Sequence, residues 1–554
     1  MRRNEWLCAA FWLALLLAAC GDEGSNDVDA GTDGDTDADG GTDTDTEGWD
    51  PRFDAFVEAL IVDLENNDAY GVSAAVMEDG VVTFAAAFGS KDPDGLEPLT
   101  PDTLMQIGST TKQMTAAALL QKVEDGLVGV DDALEELLPE LEFELDGTWD
   151  DQVTMHHLLS HQGGFFDWIP WNGPSDDAEL VDYTYDTFDD IYFLMSPPGA
   201  FWNYSNPNFI FAGLVTETLD SRPWPDIMVE DVFAPLGMER TFLRKTEVEA
   251  DGDFAMSYGL GVDDLSTGIP GPVEMADVPD PGWARPAGLT WTTPTQMMAW
   301  AKFLMDGDPA VLSGDLRAEI TAEQVDTLYG AGSMHYGYGE FVERGYAALD
   351  GQWYETPVWE HGGNTLSFTH IFYVLPEHDF AVSICSSAYG TDFSNALDVA
   401  ITTLVDLPEP SAPPEYVIDP AQFDRHVGTY NDQFNVGEMI ITREGDTLLV
   451  EMPTLVFYGY DVGPELVAIS SDLFYLYIDG YAYDITFVPL VEGGPSQYAR
   501  NRSFVTTRVG EEPDAGVIEA GETEAVAMPS REDIERWMLQ ARLNPVPVRT
   551  APPR

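Results

Sequence analysis

The chain has 554 residues, and its 99 Asp and Glu residues against 24 Lys and Arg residues give a formal net charge of −75. This length leaves room for roughly two to four domains, at ~150 residues each. Hydrophobic residues make up 44% of the chain and aromatic residues 12%, which is enough apolar material for globular cores. A net charge of this size and sign repels phosphate backbones, so we exclude nucleic acid as a partner.

The first residues have the pattern of an export signal. Arg2 and Arg3 precede an apolar run over residues 6–19, which is shorter than the ~20 residues of a membrane-spanning helix. The run ends in Leu-Ala-Ala-Cys20-Gly, which resembles the lipobox of bacterial lipoproteins. That resemblance implies a signal peptide over residues 1–20 and a lipid on Cys20. We therefore expect an exported protein, lipid-anchored to the bacterial cell envelope in the periplasm or at the outer membrane. An ordinary secretory signal is the alternative.

Residues 21–50 are predicted to be a disordered acidic tether. They contain twelve Asp and Glu residues and no Lys or Arg, so they bury little apolar surface and repel one another. Asp35, Asp37 and Asp39 match the start of a calcium-binding EF-hand loop, but the twelfth position is Thr46 instead of a bidentate Glu. The segment is therefore interpreted as a spacer, with calcium binding as an alternative.

Residues 51–406 combine strand patterns at both ends with helical patterns between them. The predicted elements are a helix over 53–64, strands over 71–77 and 81–88 joined by a tight turn, helices within 109–240, and strands over 367–375 and 380–385. Because the strands come from distant parts of the chain, the pattern predicts an α+β domain. Its antiparallel sheet would be flanked by helices and lie beside a helical cluster.

The pattern of predicted secondary structure changes after a Pro-rich linker at residues 407–414. Residues 415–510 contain short β segments separated by turns, which predicts a small all-β domain with a barrel-like or sandwich fold. The clearest predicted strands in it are 438–442, 447–452, 473–478 and 483–488. Residues 511–554 are predicted to be a loose tail with one short helix over 533–543.

Ser109 and Lys112 form the first pair with catalytic potential. The residues after Lys112 favour a helix, so Ser109 is predicted at the helix N-terminus, where the positive end of the helix dipole helps an alkoxide to form. Residues three apart on a helix share a face, so the Lys112 amine lies within reach of the Ser109 hydroxyl. This is the S-x-x-K pattern of penicillin-recognising enzymes, although a serine cap beside a solvated lysine has the same spacing.

Two further motifs follow in order. Tyr204-Ser-Asn206 comes 95 residues after Ser109, and His361-Gly362-Gly363 comes another 157 residues later. Together with the S-x-x-K pair, these motifs resemble the serine β-lactamase-like family, which includes class C β-lactamases, D,D-peptidases, D-aminopeptidases and related esterases. The resemblance covers roughly residues 51–406 and implies the β-lactamase/transpeptidase-like fold.

The resemblance implies a role for each matching position. Ser109 would be the acylated nucleophile, Lys112 its hydrogen-bonded activator and Tyr204 the general base. Asn206 would help to hold the substrate and the lysine. His361 occupies the place usually held by the lysine of the K-T-G strand, where it would contact the substrate carboxylate or the Tyr204 hydroxyl.

The same resemblance places an oxyanion hole and a substrate-binding strand. The oxyanion hole would consist of the backbone N–H groups of Ser109 and Asn364. Gly362 and Gly363 would let a substrate backbone lie against the strand, because neither carries a Cβ atom.

Two expectations concern protonation. A Lys112 ammonium in a partly dry cleft would lower the pKa of Tyr204 from its ordinary ~10 and so favour the phenolate. At position 361, histidine replaces a permanent cation, which weakens the case for anionic β-lactams and favours peptidase, aminopeptidase or esterase activity. His361 could still be protonated part of the time, with Glu360 beside it in sequence.

Aromatic residues cluster in two further segments. Residues 164–171 form an aromatic, loop-like stretch, which would either wall the acyl pocket or simply pack as a loop. The same two readings apply to Tyr336 and Tyr338.

Two alternatives to a serine hydrolase remain. His156, His157 and His161 cluster in sequence, but zinc chemistry needs a third ligand and an open position, and no established zinc-hydrolase motif is present. The second alternative is a non-catalytic lipoprotein that binds an envelope partner. Such a protein should have lost Ser109, Lys112 or Tyr204.

The sequence therefore predicts an exported serine hydrolase that acts through an acyl-enzyme, without a metal or organic cofactor. The expected substrate is a small molecule or peptide, first a D-amino-acid-containing amide or a small ester, with peptidoglycan as a possible partner. β-Lactamase or penicillin-binding D,D-carboxypeptidase activity is the alternative. Residues 415–510 also resemble the lipocalin-like domain appended to many such hydrolases, which need not bind a lipid.

Overall fold

The computed structural model describes residues 49–510, except 140, 142–148, 192, 266–267 and 433, together with 529–531, 534, 535, 537 and 538. The predictions for the signal peptide, for Cys20 and for nearly all of the acidic tether lie outside the described residues. So do the predictions for most of the tail.

Thirteen α-helices lie in the described part of the chain. They are α1 (Asp54–Glu65), α2 (Thr111–Glu124), α3 (Leu134–Leu137), α4 (Met155–Leu159), α5 (Glu179–Ile191), α6 (Asn206–Asp220), α7 (Trp224–Ile227), α8 (Lys245–Asp251), α9 (Arg285–Gly288), α10 (Pro294–Asp306), α11 (Gly314–Ile320), α12 (Ser394–Leu404) and α13 (Pro453–Phe457).

The strands before residue 406 build one large sheet and several two-stranded pairs. They are β1 (Gly71–Glu78), β2 (Val81–Gly89), β3 (Met105–Gln106), β4 (Ser257–Gly259), β5 (Gly271–Val273), β6 (Trp291–Thr292), β7 (Val325–Asp326), β8 (Met334–Tyr336), β9 (Phe341–Glu343), β10 (Tyr346–Ala347), β11 (Trp353–Tyr354), β12 (Val358–Asn364), β13 (Thr369–Leu375) and β14 (Phe380–Ser386). Among the described residues, the large sheet has the order β2-β1-β14-β13-β12-β9-β8-β7, and its neighbouring strands are antiparallel.

Strand β1 shows why this sheet lies between two layers of helices. Side chains alternate between the two faces of a strand, and β1 is buried on both faces. Val72, Ala74 and Val76 pack in one core with α1 and α12, whereas Ala75 and Met77 belong to a second core that contains α2, α6 and α10. The predicted antiparallel sheet, joined from distant segments and flanked by helices, is therefore confirmed.

The strands after the linker form a closed antiparallel barrel. They are β15 (Gly428–Asp432), β16 (Gly437–Glu444), β17 (Thr447–Glu451), β18 (Glu465–Ala468), β19 (Leu473–Ile478), β20 (Tyr481–Pro489), β21 (Ser496–Asn501) and β22 (Phe504–Arg508). In the described part of the chain each strand pairs with the next, and β22 pairs back with β15. The α+β fold class with a small all-β barrel is thereby confirmed.

Part of the segment predicted to be a loose tail belongs to this barrel. Ile534, Trp537 and Met538 are buried in the barrel core, and the Trp537 indole N–H donates a hydrogen bond to the Asn435 carbonyl at 2.9 Å. The apolar side of the predicted short helix therefore has a partner that the local sequence does not reveal. These residues are packed rather than loose.

The barrel packs directly on the α+β domain. One apolar cluster joins Phe166 and Phe201 to Val488, Tyr498 and Val505 of the barrel. In the described residues, no helix is both long and apolar enough to cross a membrane.

Candidate active site

The proposed nucleophile lies on a tight turn between a strand and a helix. Residues Gly108–Thr110 form a 3-10 turn, and α2 begins at Thr111, so Ser109 stands at the N-terminal end of the helix as predicted. Gly108 has φ +52°, and a Cβ atom there would lie 2.6 Å from the backbone nitrogen of Asn364. Only glycine satisfies both the left-handed backbone and this close approach. The turn is therefore held directly against the end of β12.

Lys112 is fully buried, and its amine meets three oxygen atoms. Nζ lies 3.0 Å from Ser109 Oγ, 2.7 Å from Asn206 Oδ1 and 2.6 Å from the carbonyl oxygen of Ala287. Loss of hydration lowers the pKa of Lys112 well below its ordinary value, and the positive charge of Arg502 acts in the same direction. The negative charge of Asp167 opposes both effects.

Tyr204 is also buried beside the nucleophile. Its hydroxyl is hydrogen-bonded with Ser109, and its ring lies 4.1 Å from the His161 ring, between centroids. Burial raises the pKa of Tyr204 even though Arg502 and the Ser109 hydrogen bond lower it. The expected lowering of the Tyr204 pKa is therefore not found. Desolvation destabilises the phenolate by more than the neighbouring groups stabilise it.

His361 lies on β12 and is 2% exposed. Its Nδ1 is 2.6 Å from the Gly362 carbonyl, which only accepts, so Nδ1 carries the proton and Nε2 accepts from the Tyr336 hydroxyl at 3.2 Å. Burial, together with the charge of Lys112, lowers the pKa of His361 to about 3. The sequence left partial protonation of His361 open, but its burial favours the neutral imidazole. The tyrosine hydroxyl that it contacts is that of Tyr336.

Asn206 connects Lys112 to a residue that the sequence analysis did not single out. Asp167 is fully buried, and its Oδ1 accepts hydrogen bonds from the Asn206 backbone N–H at 2.9 Å and from Nδ2 at 2.8 Å. The amide is thereby oriented with Oδ1 toward Lys112. In the sequence, Asp167 is marked only as a single carboxylate within an aromatic loop. The other carboxylate oxygen binds Arg502, which lies 335 residues away and could not be related to Asp167 by spacing.

The two glycines after His361 have different surroundings. A Cβ atom on Gly363 would lie 1.8 Å from the carbonyl oxygen of Ile107, so this glycine lets the serine turn reach the strand. The missing Cβ atom is thus already required by the serine turn, and the predicted contact of Gly363 with a substrate backbone stays a prediction. Gly362 has the more open position, since its nearest neighbour would be a carbonyl oxygen at 3.9 Å. Asn364 ends the strand beside Gly108, where its backbone N–H was predicted to help bind an oxyanion.

A narrow cleft opens at Ser109. Its volume is ≈ 20 Å³, which is room for about one water molecule. Ile169, Trp171 and Leu289 are among the residues that line it. Within the aromatic segment 164–171, Ile169 and Trp171 line the cleft, whereas Phe165 and Phe166 are buried in apolar clusters, so each of the two interpretations holds for part of the segment.

The three clustered histidines do not converge on one point. His156 Nδ1 lies 2.8 Å from the Tyr338 hydroxyl, and His157 Nδ1 lies 3.0 Å from a backbone carbonyl. His161 Nδ1 accepts from the Ser205 backbone N–H at 3.2 Å. Within the described residues, no group of three potential metal-ligating side chains is found.

The site thus brings together Ser109, Lys112, Tyr204 and Asn206. His361 lies near Tyr204, with 6.3 Å between the centroids of the two rings. The family model described as Beta-lactamase matches residues 53–405 of the chain. The chain belongs to the beta-lactamase family. The resemblance seen in the three sequence motifs is thereby confirmed, and with it membership of a family of serine hydrolases.

Among the curated relatives of this family member is unguisins hydrolase ungD' of Aspergillus campestris. It is 30% identical over 283 residues, which cover 48% of this chain and 49% of the relative. The chain spans about half the length of the curated relatives it matches.

Solved structures with this fold include SurE with D-Leu, at 20% identity and a TM-score of 0.58, covering 83% of this chain and 99% of the other. D-amino acid amidase from Ochrobactrum anthropi is 21% identical with a TM-score of 0.52, covering 63% and 98%. At these identities the likeness shows a shared fold.

The neutral state of His361 can be tested by NMR of its imidazole nitrogens. Because burial lowers its pKa to about 3, we expect the His361 signals to stay at neutral-imidazole positions throughout the mildly acidic and neutral range. The His361→Gln variant assigns the signals by their loss. A titration midpoint near the ordinary value of ~6.5 would contradict the buried, neutral state.

Proposed function

We propose that this protein is an exported, lipid-anchored serine hydrolase that forms an acyl-enzyme on Ser109. Its substrate is an amide or ester, first a D-amino-acid-containing peptide and then a small ester. The observation that carries this proposal is the arrangement of the Lys112 amine, 3.0 Å from Ser109 Oγ and bound on its other sides by two oxygens that cannot donate.

This arrangement suits Lys112 as the base. A neutral amine has two N–H bonds and one lone pair. The amide oxygen of Asn206 and the carbonyl oxygen of Ala287 only accept, so they take the two N–H bonds. The lone pair then faces Ser109, whose hydroxyl can donate. The lowered pKa of Lys112 supports the neutral form.

Acylation follows from this assignment. Ser109 Oγ attacks the carbonyl carbon of the substrate while its proton moves to Lys112 Nζ. The backbone N–H groups of Ser109 and Asn364 stabilise the oxyanion. The bond to the leaving nitrogen or oxygen then breaks, and the leaving atom takes a proton from the Tyr204 hydroxyl, which Lys112 reprotonates. In this scheme Tyr204 relays a proton instead of acting as a standing phenolate base.

Deacylation uses the same groups in the reverse direction. A water molecule in the cleft gives a proton to the Tyr204–Lys112 pair and attacks the acyl ester. The ester bond to Ser109 Oγ breaks, and Ser109 regains its proton from Lys112. No metal or organic cofactor takes part in this scheme.

Two observations support the order of substrates. His361 is neutral, so it provides no fixed cation for the carboxylate of a β-lactam. Two proteins with this fold are connected with D-amino acids: SurE has a structure with D-Leu, and the other protein is a D-amino acid amidase. β-Lactamase and D,D-carboxypeptidase activity are the alternatives, and peptidoglycan is the polymer in which such D-peptides would be met.

We expect Ser109→Ala to abolish both turnover and labelling by a fluorophosphonate probe, because the attacking oxygen is lost. Tyr204→Phe should lower turnover by at least about a hundredfold, the scale of losing a proton-transfer group.

Intact-mass spectra after exposure to penicillin, a D-Ala-D-Ala peptide and a p-nitrophenyl ester report which adduct accumulates. A penicillin adduct alone would reverse the substrate order. Absence of any adduct or label on wild-type Ser109 would leave the non-catalytic binding protein as the better interpretation.

The role of Lys112 predicts a pH dependence with a definite sign. A lowered pKa means that the amine loses its proton at a lower pH than a free lysine, so fluorophosphonate labelling should rise with pH and reach its plateau below ~10.4. Lys112→Arg should lose nearly all labelling and the rise of the labelling rate with pH, because a guanidinium stays protonated. A wild-type rate that rises only above the ordinary lysine pKa would contradict the assignment.

Export and anchoring are tested separately from catalysis. When the full chain is expressed in bacteria with a labelled fatty acid, we expect the wild type to carry the label and to enter the detergent phase. Cys20→Ala should lose the label. A labelled Cys20→Ala protein, or an unlabelled wild type, would contradict the lipid anchor.

A further inference from the structure

A turn of the barrel reaches the active site of the other domain. Strands β21 and β22 are joined at Arg502, whose side chain is 11% exposed. Its Nε and a terminal guanidinium nitrogen each lie 2.7 Å from Asp167 Oδ2. A short, charge-assisted contact of this kind, between a nearly buried arginine and a fully buried carboxylate, is among the stronger polar contacts in proteins.

The carboxylate of Asp167 is linked to Ser109 through two further side chains. Its Oδ1 holds the amide of Asn206, whose Oδ1 meets Lys112 Nζ at 2.7 Å, and Nζ lies 3.0 Å from Ser109 Oγ. A continuous series of polar contacts therefore runs from the barrel to the nucleophile. Each contact fixes the orientation of the next group, because an Asn206 amide turned over would present its NH₂ group to the amine.

Arg502 also lies against the Tyr204 ring, with its guanidinium carbon 4.2 Å from the ring centroid. A cation over the face of a phenol is attracted by the ring and keeps the ring from moving away. The backbone carbonyl of Arg502 accepts a hydrogen bond from Asn203 Nδ2 at 3.4 Å, in the residue just before Tyr204. The same turn thus touches the loop that carries Asp167 and the segment that carries Tyr204 and Asn206.

The charge balance gives this contact its importance. A fully buried carboxylate without a counter-charge is strongly unfavourable, and removing one partner of such a pair leaves the other uncompensated. The charged and titratable groups around the Lys112 amine are Asp167, Arg502, Tyr204, His161 and His361. Of the pair closest to Asn206, Asp167 favours the ammonium form of Lys112 and Arg502 opposes it.

From these contacts we infer that Arg502 of the barrel is a positioning residue for catalysis. It neutralises Asp167, fixes the amide of Asn206 through that carboxylate, and so aims the Lys112 amine at Ser109. The barrel is on this view a part of the active site instead of a spacer. The inference rests on the proposed serine hydrolase function.

The test compares Arg502→Gln, Arg502→Lys, Asp167→Asn and the double variant Arg502→Gln/Asp167→Asn with the full-length wild type. The measurement is the rate constant for fluorophosphonate labelling of Ser109 as a function of pH. At neutral pH, Arg502→Gln should label about 10- to 100-fold more slowly, the scale of a small misplacement of a reacting group. Arg502→Lys should be intermediate, because it keeps the charge but loses the two-pronged contact.

The pH profile separates a positioning role from loosened packing. Arg502→Gln leaves the carboxylate unbalanced, so Lys112 holds its proton more strongly and the rising limb should move to higher pH by about one unit or more. Asp167→Asn should move the limb to lower pH. The double variant removes both charges and should return the midpoint toward that of the wild type. Opposite shifts that cancel are not expected from general destabilisation.

Steady-state hydrolysis of p-nitrophenyl acetate gives a second measurement. Because the Arg502–Asp167 pair acts on Lys112 through Asn206, kcat should fall with little change in KM. Tyr329→Phe is the matched control. It removes another hydrogen bond between the domains, from the Tyr329 hydroxyl to Asp484 Oδ2 at 2.5 Å, and should label like the wild type.

Each outcome decides one of the two proposals. Wild-type Ser109 that does not react overturns the proposed function and this inference with it. A reactive wild type with an Arg502→Gln variant of the same rate and pH midpoint overturns the inference alone. If Arg502→Gln does not fold, Arg502→Lys and Asp167→Asn decide instead, and a wild-type labelling rate with a wild-type pH midpoint in both would likewise overturn it.

Discussion

A lysine side chain that is fully buried loses its hydration, so each hydrogen-bonding position of its amine has to meet a protein atom. For Lys112 these atoms come from three separate segments: the serine turn, the start of α6 and helix α9. The last of them lies 175 residues away in sequence. Because two of the three partners can only accept, the environment also determines which proton the amine can take. Burial therefore both places Lys112 and lowers the pKa of its amine.

The same constraint extends to the second domain. A buried carboxylate, that of Asp167, orients the Asn206 amide, and a buried carboxylate requires a positive partner. With 24 Lys and Arg residues against 99 Asp and Glu residues, basic side chains are scarce in this chain. Two of them, Arg500 and Arg502, lie on the barrel strand and turn that face the α+β domain. The contact between the domains is therefore electrostatic at the active site and apolar around it, where Phe201 packs on Tyr498.

Several parts of the site could be predicted because they depend on local spacing or on motif order. Ser109 and Lys112 are three residues apart, and the helix that follows them places both on one face whatever packs around it. The predicted strands near the termini of the α+β domain also appear in the sheet, since alternating and continuous apolar runs report burial directly. Tyr204, Asn206 and His361 followed from the order of the motifs.

Other properties of the site could not be predicted, because they depend on the three-dimensional surroundings of each side chain. The protonation of Tyr204 and His361 was expected to follow from neighbouring charges, but desolvation is the largest influence on both. Gly363 was predicted to make room for a substrate, and only the folded chain shows that the serine turn also requires a glycine there, because a Cβ atom would meet Ile107. Asp167 stood in an aromatic loop with no spacing that relates it to Arg502. The partner of Ile534, Trp537 and Met538 is the barrel core, which no local pattern around these residues indicates.

The sequence by itself determined the family, the α+β and barrel architecture, and the pairing of Ser109 with Lys112, because these are set by periodicity, turns and short motifs along the chain. The tertiary structure alone decided which groups are neutral, which glycine is required, and that the barrel supplies Arg502 to the catalytic site. These properties depend on desolvation and on contacts between residues hundreds of positions apart. No local pattern encodes such contacts, since they form only when the two domains pack together.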